Sequence, residues 1–348
     1  MRSELPSNAA GEDEAPTGKP MAGKALVTGA SGFIGSRLRD ALLARGLDVL
    51  SIRRKGSAPA KAGQGRSVEC AYDDVAALTR LVEMEKPDYV LHVAGVTKGV
   101  AYEDFARGNL MPTENLLRAL ETAHPGLERF VHISSQAAYG PSTKERAVSE
   151  DDPRRPVEFY GQSKLEAEHA VEKRGTSLRW TILRPAGVYG PGDVDYFNLF
   201  KEADARRNVF FGNRHQRWSA IYVDDCVEAI LAATTHPAAV GEGFFVEDGR
   251  PLTWVEFQDT IVRESGKRAL TLDFPAFVVT LAGIGGEIAT RLDGKPRLFN
   301  RQKAKMGAQE AWVCSADKLR ARLGWNAKIG HEEGVRRAFA WYRAQGWI

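Results

Sequence analysis

Apolar residues in the first half of the chain fall into two patterns that alternate. "KALVTGA", from Lys24, is a short unbroken apolar run ended by a turn, which predicts a buried strand. "FIGSRLRDALLARG" follows, with Ile34, Leu38, Ala41 and Leu42 on one helical face and Gly46 as a stop signal. "LDVLSI" predicts a second strand. The rhythm repeats: a helix at "DDVAALTRLVEME", a strand at "DYVLHVAG", a helix at "NLMPTENLLRALETA", a strand at "RFVHISS", a helix around "YGQSKLEAEHAVEK" and a strand at "RWTILRP". Strands that are apolar throughout, rather than at alternate positions, are those of a parallel sheet covered on both faces. The expectation is an α/β fold built on a doubly wound parallel sheet.

After Pro185 the rhythm changes to the Gly/Pro-rich "AGVYGPGDVDYFN". "SAIYVDDCVEAILAATT" then predicts one more strand and helix of the first domain, and from about Gly241 short strands mix with helices. The predicted division is a tail at 1–20, a sheet domain at 21–185 to which 216–240 returns, and a smaller substrate domain from 186–215 and 241–348. That smaller domain is placed at the carboxyl edge of the sheet, where open α/β sheets bind ligands. The apolar stretch "FPAFVVTLAGIGGEIA", 274–289, is read as its core helix, with the wall of an apolar pocket or a membrane contact as alternatives.

Composition narrows the classes. The 348 residues carry 48 basic and 45 acidic side chains, net +3, with no long basic block, so nucleic acid is not an expected partner. The tail is polar and rich in Pro, Gly, Asp and Glu, so it reads as disordered rather than as a signal peptide. No run of about 18 apolar residues predicts a membrane span. Cys70, Cys226 and Cys314 are odd in number and widely spaced, which suits reduced thiols in a cytoplasm and gives no metal pattern.

Candidate chemistry starts at "LVTGASGFIG", where Gly29, Gly32 and Gly35 lie between a strand and a helix. Gly29 permits the tight turn, Gly32 lets the backbone approach a pyrophosphate, and Gly35 lets the helix pack on the strand, with the helix N-terminus facing the anion. A helix start that is merely glycine-rich is the plain alternative. The second strand ends in Arg53-Arg54-Lys55 rather than in an acid, so a 2′-phosphate is favoured there and NADP(H) is expected over NAD(H). The plain alternative is solvated surface charge. Tyr160 and Lys164, four apart, share one helical face one turn apart. An ammonium near the phenol is expected to lower its pKa and fit it for proton transfer. Ser135, ending "RFVHISS", would hold the substrate oxygen. His92, inside a strand, reads as a core histidine with satisfied nitrogens rather than as a ligand.

Taken together, "TGASGFIG", "HVAG", "HISSQAAYG", "YGQSK" and "LRPAGVYGPGD", in this order, resemble the extended short-chain dehydrogenase/reductase family, which holds NAD(P)-dependent epimerases and dehydratases. The likeness is clear from Lys24 to Ala233. It implies a Rossmann-like domain, a nicotinamide cofactor and a catalytic trio at Ser135, Tyr160 and Lys164. It also implies backbone amides of Phe33 and Ile34 on the cofactor, Pro185 and Val188 beside the nicotinamide, Asn109 on a helix next to the site, and a homodimer by analogy. Where dehydratases of the family carry an Asp-Glu pair, this chain has Gln136 and Ala137. Where epimerases carry an asparagine and an arginine, it has Gly187 and Trp218, with Arg217 one place earlier. The pattern looks more like the 3β-hydroxysteroid dehydrogenase and dihydroflavonol reductase branch, with Gln136 and Trp218 as candidate substrate contacts. Asp73 or Asp74 stands near the family's adenine-side acid. The expected function is hydride transfer between NADP(H) and a secondary alcohol or ketone of a small, steroid-like or otherwise apolar substrate. An NAD-dependent nucleotide-sugar epimerase and a non-catalytic dinucleotide sensor are the alternatives.

Overall fold

The computed structural model describes residues 20–275, 278 and 305–348. Eleven strands precede residue 247: β1 (Lys24–Thr28), β2 (Asp48–Arg53), β3 (Arg66–Glu69), β4 (Tyr89–His92), β5 (Arg129–Ile133), β6 (Trp180–Pro185), β7 (Gly187–Tyr189), β8 (Arg207–Phe211), β9 (Arg217–Trp218), β10 (Ala220–Tyr222) and β11 (Glu242–Val246). Seven of them make one sheet in the order β11-β6-β5-β4-β1-β2-β3, with every pairing parallel. The chain winds outward from β1 to β3, returns past β1 to β4, and winds the other way. That reversal opens a crevice at the carboxyl ends of β1 and β4. The fold is a Rossmann-like α/β sandwich.

Both faces of the sheet are covered, which is why its strands are apolar throughout. In β1, Ala25 and Val27 enter one core and Leu26 the other. Helices α1 (Phe33–Ala44) and, much later, Val223–Thr235 cover the first face. Helices α2 (Val75–Glu85), α4 (Met111–Ala123, after the short α3, Tyr102–Phe105) and α5 (Phe159–Glu172) cover the second. A separate aromatic core, including Tyr189, Phe200, Trp218, Phe257, Phe339 and Tyr342, forms beyond the carboxyl edge. Helices α6 (Phe197–Asp204) and α8 (Trp254–Ser265) and the final helix, His331–Ala344, enclose it.

Three local expectations change. The helix predicted within 216–240 is α7, Val223–Thr235, and it packs on α1, but the strand before it, β10, pairs with β7 outside the main sheet. The place beside β6 is taken by β11, and β10 pairs instead with the chain that continues past Pro185. β11 itself lies beyond the boundary drawn at 240, yet it is the edge strand of the sheet. The short β3 gave no apolar run because it is half exposed on the opposite edge. Of the stretch 274–289, only Phe274, Pro275 and Val278 are among the described residues, and the tail at 1–19 lies outside them. No helix among the described residues is long and apolar enough to cross a membrane.

Candidate active site

The glycine turn sits at the switch point between β1 and β4. Gly29 adopts φ +70°, and a Cβ there would lie 2.7 Å from the amide nitrogen of Ala94, just after β4. A Cβ on Gly35 would lie 2.1 Å from the Gly29 carbonyl oxygen. Two of the three glycines are therefore demanded by the protein's own packing. Gly32 is different: a Cβ there would meet only the Gly29 oxygen, at 3.2 Å, so its outer face is clear of protein. Helix α1 starts at Gly32 with no capping side chain and no acid in its first turn. The amides of Phe33, Ile34 and Gly35 are thus left for an anion outside the chain, which fits a dinucleotide diphosphate.

At the end of β2, Arg53 faces Glu69 across the β2–β3 pair and bonds it at 2.6 Å, while also donating to the Ser57 carbonyl at 2.8 Å. Arg54 is exposed, and neither it nor Lys55 forms an ion pair among the described residues. Asp74 is occupied in capping α2, accepting from the Ala77 amide at 2.8 Å.

Ser135 and Tyr160 come together at the carboxyl end of β5. Ser135 caps a single 3-10 turn, Gln136–Ala138, its hydroxyl accepting from the Ala137 amide at 3.2 Å. Tyr160 is the second residue of α5, whose start is fixed by Glu158: the carboxylate accepts from the amides of Tyr160 and Gly161, each at 2.6 Å. Burial pushes the Tyr160 phenol up to about 12; a hydrogen bond with Ser135 pulls the other way, and the charges of Glu158 and Asp195 add to the rise. This corrects the expectation that Lys164 lowers it. The Lys164 ammonium is buried and donates to the backbone carbonyl of Ile133 at 2.6 Å. Burial brings its own pKa down to about 8, against a partial lift from Glu168.

Asn109 is buried beside Lys164: a Cβ on Gly95 would meet Asn109 Oδ1 at 2.9 Å and Lys164 Nζ at 3.7 Å. It lies in a π-helical turn, Ala106–Leu110, between α3 and α4, the kind of local widening that re-aims a side chain. Pro185 is buried at the end of β6 and Val188 is half-buried in β7. A Cβ on Gly187, between them, would strike Trp218 and the Tyr196 hydroxyl, both at 2.5 Å. Trp218 stacks on Tyr196 and on Trp254, with ring centroids 5.5 Å and 4.6 Å away, and those two rings also meet each other at 6.3 Å. The Trp218 indole N–H and the Gln136 amide nitrogen are buried without a hydrogen-bond partner.

Three features were absent from the sequence reading: the Glu158 cap, a Lys98–Asp195 ion pair of 2.7 Å joining the loops after β4 and β7, and a buried ion pair between Glu168 and Arg184. Only the last carried a signal. Glu168 stands one turn beyond Lys164 in "YGQSKLEAE", and Arg184 is the arginine of "LRP".

An all-parallel sheet with an anion-ready helix start at its switch point is the architecture of dinucleotide-binding enzymes. The chain belongs to the NAD dependent epimerase/dehydratase family, which it matches over residues 25–246, and it is an NAD(P)-dependent enzyme. It is 28% identical over 322 residues to a 4-hydroxy-2-methyl-3-oxo-4-farnesyl-3,4-dihydroquinoline-1-oxide ketoreductase of Stigmatella aurantiaca, covering 90% of this chain and 94% of the relative. It is 27% identical over 330 residues to a ceramide reductase of Caulobacter vibrioides, covering 94% and 96%. Among solved structures, a UDP-glucose 4-epimerase from Thermotoga maritima shares the fold with a TM-score of 0.76 at 24% identity, covering 92% of this chain and 99% of that one.

Proposed function

We propose that the protein is an NADP(H)-dependent reductase of a ketone, or dehydrogenase of the matching secondary alcohol, in an apolar substrate. The carrying observation is Tyr160, a phenol kept protonated and hydrogen-bonded to Ser135. A neutral phenol is the form that donates a proton to a carbonyl oxygen as it gains negative charge. NADPH, when bound, supplies the hydride for the carbonyl carbon. Ser135 holds the substrate oxygen, Tyr160 gives it the proton, and Lys164 supplies positive charge from behind. Phe33, Ile34 and Gly35 amides hold the diphosphate; Pro185 and Val188 border the nicotinamide.

The aromatic wall supports an apolar substrate. Trp218 and Tyr196 fill the space over Gly187, with Gln136 beside Ser135 as the polar contact. Two relatives whose names specify a farnesyl quinoline ketone and a ceramide point the same way. For the cofactor, Arg53 is committed to Glu69, so the 2′-phosphate falls to Arg54 and Lys55. The test is turnover of a panel of long-chain and polycyclic ketones with NADPH and NADH, alongside nucleotide sugars. We expect net NADPH oxidation with ketones, and an Arg54→Glu variant that loses the preference for NADPH. Isomerisation of a nucleotide sugar without net cofactor turnover would replace this reading with the epimerase.

The Lys164 environment sets a pH limb. With the ammonium titrating near 8 and the phenol near 12, kcat/KM for reduction should hold through neutrality and fall as pH rises past about 8. The residual activity of Lys164→Arg should keep its level to higher pH, because a guanidinium stays charged. A limb left in place by that variant would assign it to another group.

A further inference from the structure

We propose that His92 is a positioning residue, the middle link of a one-directional hydrogen-bond run that ties the glycine turn to Asn109, whose side chain carries a second run to the Tyr160 segment. The proposal rests on the reading of Tyr160 as proton donor. His92 ends β4 and is fully buried between the turn and the π-helical segment. Its Nε2 lies 3.0 Å from the Thr113 hydroxyl, and its Nδ1 lies 2.8 Å from the Thr28 hydroxyl.

The directions of these bonds are fixed by their neighbours. Thr113 donates its single hydroxyl proton to the Asn109 carbonyl at 2.7 Å, so it can only accept from His92. Nε2 therefore carries the ring proton. Burial holds the ring's pKa down to about 3, with the charge of Lys164 adding to the effect, so the imidazole is neutral and Nδ1 is bare. Nδ1 then accepts the proton of Thr28, whose oxygen accepts in turn from the Ala94 amide at 3.0 Å. Beyond Thr113 the chain continues through Asn109. Its Oδ1 accepts from the Val96 amide at 2.7 Å, which fixes the orientation of the side-chain amide. The amide nitrogen donates to the Val96 carbonyl at 3.1 Å and to the Ser163 hydroxyl at 2.8 Å. Ser163 donates to the backbone carbonyl of Tyr160 at 2.8 Å. From Thr28 to the Asn109 backbone carbonyl every donor points the same way, and from the Asn109 side chain a second run continues in that direction to Tyr160.

The chain's two ends are the two parts of the site. Thr28 immediately precedes Gly29, and Ala94 is the residue against which Gly29 packs. Tyr160 is the proton donor. Among the described residues, His92 alone bonds both Thr28 and Thr113. The neighbouring His132, stacked at 5.5 Å, makes no hydrogen bond through either nitrogen and does not branch it. A threonine hydroxyl can swing, but a neutral imidazole wedged between two hydroxyls has one tautomer and one orientation. Flipping the ring would turn C–H edges toward both hydroxyls and lose both bonds, and moving its proton to Nδ1 would set a bare Nε2 against the Thr113 oxygen, whose own proton is committed to Asn109. His92 thereby fixes how far α5 stands from the cofactor turn.

The test uses the whole protein. Nitrogen NMR of histidine-labelled protein should show His92 with Nε2 protonated and Nδ1 bare; a proton on Nδ1 would overturn the chain. An asparagine amide reaches the place of Nδ1, and a glutamine amide that of Nε2. His92→Gln should keep kcat within about threefold and weaken dinucleotide affinity; His92→Asn should keep that affinity and lose about tenfold or more in kcat. Thr113→Val, which leaves the ring in place, should behave as His92→Asn does. A purely structural histidine would show lower thermal stability with no such crossing of kcat and affinity, and that result would refute the proposal. Should the His92 variants fail to fold, Thr113→Val and the tautomer decide. Should the unaltered protein turn over no substrate, the reading of the site falls, and the tautomer and dinucleotide affinities decide the chain alone.

Discussion

Tyr160→Phe should lower kcat for ketone reduction by about 10²–10⁴-fold while leaving dinucleotide affinity and thermal stability near those of the unaltered protein. The change deletes one oxygen. The ring still packs on Phe105, whose centroid is 6.5 Å away, and the Glu158 cap holds the backbone amide rather than the hydroxyl. Ser135 keeps its Ala137 contact, and Lys164 keeps the Ile133 carbonyl, because neither depends on the phenol. What disappears is the acidic proton proposed to pass to a carbonyl oxygen held by Ser135 as that oxygen gains charge. Loss of that proton is felt in the transition state and hardly in substrate binding, so kcat should fall and KM should move little. Single-turnover NADPH oxidation, with dinucleotide affinity by fluorescence, separates the two. A variant within tenfold of the parent would show that water or another group delivers the proton.

The sequence made the candidate catalytic face legible because it depends on local spacing. Tyr160 and Lys164 fall on one side of α5 whatever surrounds them, and Gly29, Gly32 and Gly35 announce a turn by their interval. The direction of the Tyr160 shift was not legible. The group that draws the Lys164 ammonium is the Ile133 carbonyl, thirty-one residues away, and a backbone oxygen leaves no mark in a sequence. The partner of Arg53 was not legible for a related reason. β3 has no apolar run, so Glu69 could not be seen to lie directly opposite Arg53 in the sheet. His92 was legible as a core histidine with satisfied nitrogens. Its partners Thr28 and Thr113 belong to a different strand and helix, and only the fold brings them to its two sides.

The largest effect on stability should come from Glu168→Ala. Glu168 is fully buried and holds Arg184, itself 2% exposed, through bonds from Nε at 3.0 and 3.1 Å and from the terminal nitrogen at 3.0 Å. Burial pulls the pKa of Arg184 down, and the charge and hydrogen bonds of Glu168 more than reverse that. Glu168 also accepts from the Ser134 hydroxyl, next to Ser135, and lies 3.2 Å from Arg154. Without the carboxylate, Arg184 cannot leave for water. The Tyr139 ring stacks on its guanidinium at 4.8 Å, and the other side is so close to β11 that a Cβ on Gly243 would lie 2.3 Å from it. A charge stranded in this way costs about 3–5 kcal/mol. Against a total of about 5–15 kcal/mol for a folded domain, that is a large share. Urea unfolding should show the midpoint falling with an unchanged slope. The decisive control is the double variant Glu168→Leu with Arg184→Met, which removes both charges and keeps the volume. It should recover most of the loss, because the penalty in the single variant belongs to the unpaired guanidinium and not to the missing attraction. If the single variant loses less than about 1 kcal/mol, Glu172 suffices to neutralise Arg184 through its 3.9 Å approach, even while shared with Arg154, and the Glu168 carboxylate is not what holds Ser134, α5 and β6 in place.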